Sequence, residues 1–329
     1  MPDTTYRSPR LTAVAKTAML VAAARLAEAK HEEPVLTDEL LEAMIGSSGE
    51  VVAAMRQCIQ ETQQQEREDG VNHVASFTSV RMKFGDSQLV QFRASHVTFQ
   101  VVILGAGLDT RPWRLDLGSG VSIYDIDQKD MTEFKNARLL AADAQLQMDG
   151  KTHRFPLRCG SWKGVPLDLT GSWLPGLLLS GLSTDVPTVW VAEGLFYYMD
   201  QEAGSALLKT MASASTPDSM LIMTHLNHAL FTASQRFISD GDFPTDEKIK
   251  TFYSSWKSGM PENVGGYLAS CGWRVDSQQL MSEIHKEYGV QLARWKNTAE
   301  MRRKYEPELG TLDYWVVVAH PMSVIVDKS

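Results

Sequence analysis

Short apolar runs closed by glycine or a carboxylate alternate with amphipathic stretches over the middle of the chain. Val101–Leu104, Ser122–Tyr124, Val165–Leu167, Val189–Ala192 and Met220–Thr224 are short, apolar and spaced for strand–helix units. Uninterrupted runs of this kind suit strands buried on both faces, so the pattern predicts a mostly parallel sheet. Helical patterns fill the gaps, with Lys129–Leu146 after the second run and Gln201–Ala214 after the fourth. Glu262–Ser270 is a further helix, Gly272–Val275 starts another strand, and Asp313–Ala319 is a closing strand. Gly310-Thr311-Leu312 leaves only a tight connection before it, so the last strand is expected to run antiparallel to its neighbours, in a final hairpin.

The first hundred residues are patterned as helices instead. Leu11–Leu26, Thr37–Met44 and Glu50–Glu66 carry helical spacing, the last two parted by Gly46-Ser47-Ser48-Gly49, with Gln63–Asp69 as a polar, solvated end. Lys16 and Arg25 interrupt Leu11–Leu26 too soon for a signal peptide, and no stretch reaches the roughly twenty apolar residues of a membrane span. No Pro/Gly/Ser-rich linker divides these helices from the first strand, so residues 1–98 are expected to cap a core formed by residues 99–224 and 262–322. Between the two core segments, 225–261 breaks the rhythm with Gly241, Pro244, Gly259 and Pro261 and with Phe231, Phe237, Phe243, Phe252, Tyr253 and Trp256. Such an aromatic insertion builds either a substrate wall or lid, or a helical pair over the sheet edge.

Composition narrows the classes. A chain of 329 residues can bury a large core, and its 40 acidic against 32 basic residues give a net charge of −8, which argues against a nucleic-acid partner. Cys58, Cys159 and Cys271 are odd in number and far apart, in no Cys-x-x-Cys spacing. They suggest neither a disulfide framework nor a metal site, and they suit buried small hydrophobes in a reducing cytoplasm.

The candidate chemistry centres on Val101–Arg114, V-V-I-L-G-A-G-L-D-T-R-P-W-R. An apolar strand running into Gly105-Ala106-Gly107 suits a tight turn where a ligand can approach the backbone, although glycine can also serve there only for its conformation. About twenty residues on, Asp125 and Asp127 end the next strand, where an acid grips a ribose in doubly wound sheets. The third glycine of a dinucleotide fingerprint is missing, since Thr110 and Arg111 follow Gly107-Leu108-Asp109. That disfavours NAD and favours an adenosyl ligand without a pyrophosphate.

G-A-G-L-D-T-R-P-W-R-L, Y-D-I-D-Q-K-D-M-T-E-F-K, V-P-L-D-L-T-G-S-W and V-W-V-A-E-G-L-F-Y-Y-M, in this order, resemble the leucine carboxyl methyltransferase superfamily. These are S-adenosyl-L-methionine-dependent O-methyltransferases, and the block order is most similar to the bacterial branch with polyketide O-methyltransferases of the tetracenomycin type. The resemblance covers residues 75–200 and implies a class I methyltransferase fold: an α/β, Rossmann-like, mostly parallel sheet with an antiparallel last strand, a helical N-terminal cap and a helical insertion. It implies that Gly105 and Gly107 lie against the methionine part of S-adenosyl-L-methionine, with Asp109 either a further contact or a helix cap. Asp127 would take the ribose hydroxyls, with Asp125 as the alternative, and Asp168-Leu169 the adenine. Glu193 would sit beside the sulfonium, and Arg81 would pair with the cofactor carboxylate, with Lys16 in a similar but looser match.

Tyr197 and Tyr198 then face the sulfonium cation, line the acceptor pocket, or belong to the core. His225 is a candidate general base or acceptor-orienting group, with structural hydrogen bonding as the alternative. His225 and His228 form a His-x-x-His without a further ligand, so no metal is expected. Methyl transfer needs an acceptor lone pair about 3 Å from the methyl, so proximity and orientation dominate. A carboxylate with a pKa near 4 needs no base, whereas a phenol near 10 benefits from one. The expected function is therefore methyl-ester formation on a small-molecule carboxylate of secondary metabolism, in a cytoplasmic enzyme with no membrane partner; the oligomeric state is open. Phenolic O-methylation, methylation of a protein C-terminal carboxylate, an NAD-dependent oxidoreductase and a nucleotide-binding module without turnover are the alternatives.

Overall fold

The computed structural model describes residues 13–30, 32–69, 73–74, 77–241, 253–289, 291–292 and 296–322. Seven strands form the main sheet: β1 (Phe99–Leu104), β2 (Gly118–Asp127), β3 (Cys159–Pro166), β4 (Thr188–Glu193), β5 (Met220–Leu226), β6 (Trp273–Leu280) and β7 (Tyr314–Pro321). Their spatial order is β3-β2-β1-β4-β5-β7-β6. Neighbours from β3 to β5 are parallel, and β7 runs antiparallel to both β5 and β6. The expected mostly parallel sheet with an antiparallel last strand is the one formed.

Three details differ from the pattern-based expectation. The apolar run Val165–Leu167 marks only the end of β3, which starts at Cys159 and is an edge strand with alternating exposure. A search for continuous apolar runs passes over such a strand. The helix expected over Lys129–Leu146 stops at Ala141, because Asp143 takes φ 58° and Ala144 bridges to Phe155. No hairpin closes the sheet either, since helices Met281–Glu287 and Lys296–Leu309 lie between β6 and β7 in the chain.

Alternate residues of β1 serve opposite cores. Val101 and Ile103 pack with Ala22, Ala23 and Leu26 of helix α1 (Ala13–Glu28), Leu40, Leu41 and Ile45 of α2 (Glu39–Ile45), Val51 of α3 (Gly49–Asp69), and Val80, Phe84 and Leu89 of α4 (Phe77–Ser95). Val102 and Leu104 pack on the other face with Trp190, Leu221 and Trp273, under Leu207 and Leu208 of the helix Gln201–Ser213. Each fully buried Val, Leu, Ile or Phe among them contributes about 1.5–3 kcal/mol. A third cluster joins Leu230 and Phe237 of the helix His228–Ser239 to Met301 and Tyr305 of Lys296–Leu309, and includes Tyr197 and Trp256. Among the described residues, no helix is long and apolar enough to cross a membrane.

Candidate functional site

The strand order reverses at β1 and β4, so the chain leaves their C-terminal ends in opposite directions and opens a crevice there. Gly105, Asp127, Asp168, Glu193 and His225 all come at or just after the C-terminal ends of β1 to β5, although they are up to 120 residues apart in the chain. Gly107 turns with φ 48°, and its amide donates to Asp127 Oδ2 at 2.7 Å. The Gln128 amide donates to Asp127 Oδ1 at 2.8 Å. Burial pushes the Asp127 pKa up while these two amides pull it back, and each carboxylate oxygen keeps a lone pair for a further donor. Asp125 is committed elsewhere: it is buried and takes Lys135 Nζ at 2.6 Å and Trp162 Nε1 at 2.8 Å. Of the two acids, Asp127 is thus the one at the strand mouth. Asp168 is exposed and accepts from the Thr170 amide at 2.9 Å and its hydroxyl at 2.7 Å, which pull its pKa down. Leu169 is half-buried against the core beside it.

Beneath the glycine turn lies a charged network that motif reading misses. Arg111 is fully buried and donates from Nε to Asp86 Oδ1 at 2.7 Å, from Nη1 to Asp109 Oδ2 at 2.7 Å and from Nη2 to Glu193 Oε2 at 2.9 Å. Burial works against its charge, but Asp109, Glu193 and Asp86 outweigh it and hold its pKa well above the ordinary arginine value. Arg114 also pairs with Asp86. Asp109 Oδ1 accepts from the Arg111 amide at 2.8 Å, so both of its oxygens are engaged within the turn. One turn of chain further out, Arg25 and the Thr110 hydroxyl meet at Asp38, and Arg25 reaches the Leu108 carbonyl at 3.2 Å. The available signal was charge balance: two acids, Asp109 in the glycine turn and Glu193 at a strand end, need a buried cation, and T-R-P-W-R supplies one.

Arg81, on α4, is buried beside the Glu193-Gly194 turn: its Nη1 lies 2.9 Å from where a Cβ on Gly194 would stand. It hydrogen-bonds the Tyr197 hydroxyl and sits 5.5 Å from the Phe77 ring centroid. The side chain of Lys16 lies outside the described residues.

On the far side of Arg81 the site is aromatic. The Tyr197 ring centroid is 4.7 Å from Tyr198, 5.8 Å from Trp256 and 6.4 Å from Tyr314, and Trp256 is 4.6 Å from Tyr253. His225 is buried between Phe196 at 6.2 Å and Tyr197 at 6.3 Å. Burial pushes its pKa down to about 3, with the Leu226 backbone acting weakly the other way. Burial likewise raises Tyr197, Tyr198 and Tyr314 above the usual phenol range. Of the insertion's aromatics, Phe237 is core, edge-on to Tyr305 at 6.4 Å, and Phe243 and Phe252 lie outside the described residues. His228 starts the next helix and reaches Thr232 at 3.4 Å.

Among the buried polar atoms here without a partner among the described residues, alongside Arg114 Nε, Asp125 Oδ1 and His225 Nδ1, are Glu193 Oε1, an acceptor, and Arg81 Nε, a donor. The methionine end of S-adenosylmethionine is complementary, with cationic sulfonium and ammonium groups and one carboxylate, so the residues present fit it.

The family model for leucine carboxyl methyltransferase matches residues 18–212. A protein of Streptomyces avermitilis named as an S-adenosyl-L-methionine-dependent methyltransferase is 31% identical over 265 residues, covering 80% of this chain and 84% of its own. One of Mycolicibacterium smegmatis, similarly named, is 28% identical over 295 residues, covering 85% and 90%. Among solved structures, a DUF574 family protein of Streptomyces avermitilis is similar with TM-score 0.49 at 10% identity, over 90% of this chain and 99% of its own. A magnesium protoporphyrin IX methyltransferase of Synechocystis with bound SAH gives TM-score 0.39 at 12% identity, over 75% and 88%.

Proposed function

The chain belongs to the leucine carboxyl methyltransferase family, whose relatives use S-adenosylmethionine, and from that premise we propose that it transfers the methyl group to a carboxylate oxygen of a small, largely apolar acid. The cofactor supplies an electrophilic methyl on a cationic sulfur. The chain's part is to bind, to orient and to keep water out. In this proposal Arg81 takes the cofactor carboxylate, Gly105 and Gly107 with Asp109 shape the turn beneath it, and Asp127 holds the ribose. Asp168 and Leu169 hold the adenine, Glu193 lies toward the cationic end, and Lys16 assists from the cap. Tyr198 and His225 border the acceptor.

One observation carries the choice of acceptor. The three titratable groups nearest Arg81 on the aromatic side do not favour taking a proton near neutral pH: burial pushes the His225 pKa down to about 3 and holds Tyr197 and Tyr198 above the usual phenol range. A phenol would have to lose its proton without help there, whereas a carboxylate arrives ionised. The proposed division into a cap (1–98), a core (99–224 and 262–322) and a substrate wall (225–261) is supported at the cap by Ala18, whose Cβ comes within 3.5 Å of a Cβ placed on Gly107, and by Arg25 on the Leu108 carbonyl. Cys159 and Cys271 are buried free thiols, in keeping with a reducing cytoplasm. The side chain of Cys58 lies outside the described residues.

The test is single-turnover methylation with labelled cofactor, offered apolar carboxylic acids and matched phenols. The expected product is an alkali-labile ester formed at a rate nearly flat from about pH 6 to 9. An alkali-stable ether, formed at a rate that climbs with pH and collapses in His225→Ala, would overturn it.

A further inference from the structure

The Arg111 side chain touches three elements around the proposed site of the cofactor's charged end. Its guanidinium joins the glycine turn through Asp109, the end of β4 through Glu193, and α4, the helix that carries Arg81, through Asp86 and the Met82 carbonyl at 3.3 Å. Three distinct nitrogens serve three distinct carboxylates, a use of the guanidinium fork that an ammonium cannot reproduce.

Asp86, Asp109 and Glu193 pair directly with Arg111 and Arg114, while Arg25 and Lys135 also act on Asp109 and Arg81 lies beside the Glu193-Gly194 turn. Within this set Glu193 uses only Oε2 on Arg111, and its Oε1 is buried without a partner among the described residues. α4 makes room for that oxygen with Gly85. A Cβ there would stand 2.5 Å from Glu193 Oε1 and 2.8 Å from Arg111 Nη2, so any larger residue would displace the pair.

We infer that Arg111 is the positioning residue for the cationic end of the cofactor: it fixes Glu193 by one oxygen so that the other confronts the positive charge that distinguishes the methyl donor from its spent form. Arg111 itself touches no cofactor. It acts through Glu193, and Gly85 keeps the geometry open. The inference rests on S-adenosylmethionine being the cofactor and is independent of the acceptor.

S-adenosylmethionine carries a sulfonium where S-adenosylhomocysteine has a neutral thioether, so the ratio of their affinities reads the field at that sulfur. A merely structural arginine would change both affinities alike. Calorimetric titration of the full chain with each ligand is expected to show that Arg111→Lys and Glu193→Gln each lower the affinity for S-adenosylmethionine relative to S-adenosylhomocysteine by fivefold or more. The double variant should go no further than the single ones, because both changes remove the same interaction. Equal weakening of both ligands, or independent effects that multiply in the double variant, would overturn the inference. Should Arg111→Lys fail to fold, Gly85→Ala decides: alanine favours the helix yet crowds Oε1, so a fivefold change in the ratio supports the inference and an unchanged ratio refutes it. A wild-type chain that binds neither ligand would overturn the cofactor assignment as well; a wild-type chain that binds both, with variants of unchanged ratio, overturns only this step.

Discussion

Under the glycine turn ion pairs dominate: Arg111 with Asp86, Asp109 and Glu193, Arg25 with Asp38, Lys135 with Asp125. Across Arg81 lies a packed aromatic cluster of Tyr197, Tyr198, Tyr253, Trp256 and Tyr314, with one histidine that burial keeps neutral. The two sides meet different demands. A charged ligand of fixed shape is held by fixed charges, which are costly to bury unless paired and therefore tolerate little change. An apolar acceptor, as proposed for this side, would be held by ring surfaces, whose contribution scales with buried area and can be varied. Substitutions on the two sides should accordingly fail in different ways, the first through stability or cofactor affinity and the second through acceptor choice.

The strongest break in this comparison should come from Asp125→Ala. It leaves the Lys135 ammonium buried and unpaired, since both side chains are about 4% exposed or less. Stability should fall by about 3–5 kcal/mol, read by urea unfolding, while folded molecules keep most of their cofactor affinity. A smaller loss would mean that the charged side is less rigid than its pairs suggest. Asp127→Ala is the converse. Its carboxylate braces only two backbone amides, so the main effect should be a loss of about 2–3 kcal/mol in S-adenosylmethionine binding, measured by calorimetry. Affinity unchanged in Asp127→Ala and lost in folded Asp125→Ala would exchange the two roles.

On the aromatic side the effects are smaller and depend on pH. His225 has a folded pKa of about 3, below its unfolded value near 6.5, so it contributes stability above pH 6.5 that is lost as the pH falls toward 3. Each unit of acidification in that window should cost about 1.4 kcal/mol through this residue. His225→Gln should make the unfolding free energy between pH 6 and 4 shallower by that slope; parallel curves for the two proteins would show that His225 is not held neutral. The smallest effect is expected for Tyr198→Phe, whose hydroxyl is kept protonated and so removes no proton. The single-turnover rate should stay within about twofold, a change of under about 0.5 kcal/mol, and a hundredfold fall would give this side an acid–base role after all.

Much of the crevice is legible in the sequence because its parts are local. β1, β4 and β5 are continuous apolar runs, as strands buried on both faces must be, and the residues that follow each are short motifs: Gly105-Ala106-Gly107, Asp125-Ile126-Asp127 and Glu193-Gly194. β3 is less legible. Its edge position lets Gly160, Ser161 and Lys163 stand where an inner strand would need apolar residues.

The choice between Asp125 and Asp127 is not a local matter at all. Two residues apart on one strand, they share a face by alternation, and only Lys135 and Trp162, brought in from a helix and from the neighbouring strand, draw Asp125 into the core. The same holds for Asp86, Arg111 and Glu193, which stand 25 and 82 residues apart in the chain and become one cluster only when α4 packs across the ends of β1 and β4. The sequence by itself determined the order of the strands along the chain, the family and the cofactor, because periodicity and short motifs are properties of neighbouring residues. Which acid faces the crevice, which arginine lies beneath it and which histidine has lost its proton were decided by tertiary structure, because desolvation and Coulomb attraction depend on distance in space and not on separation along the chain.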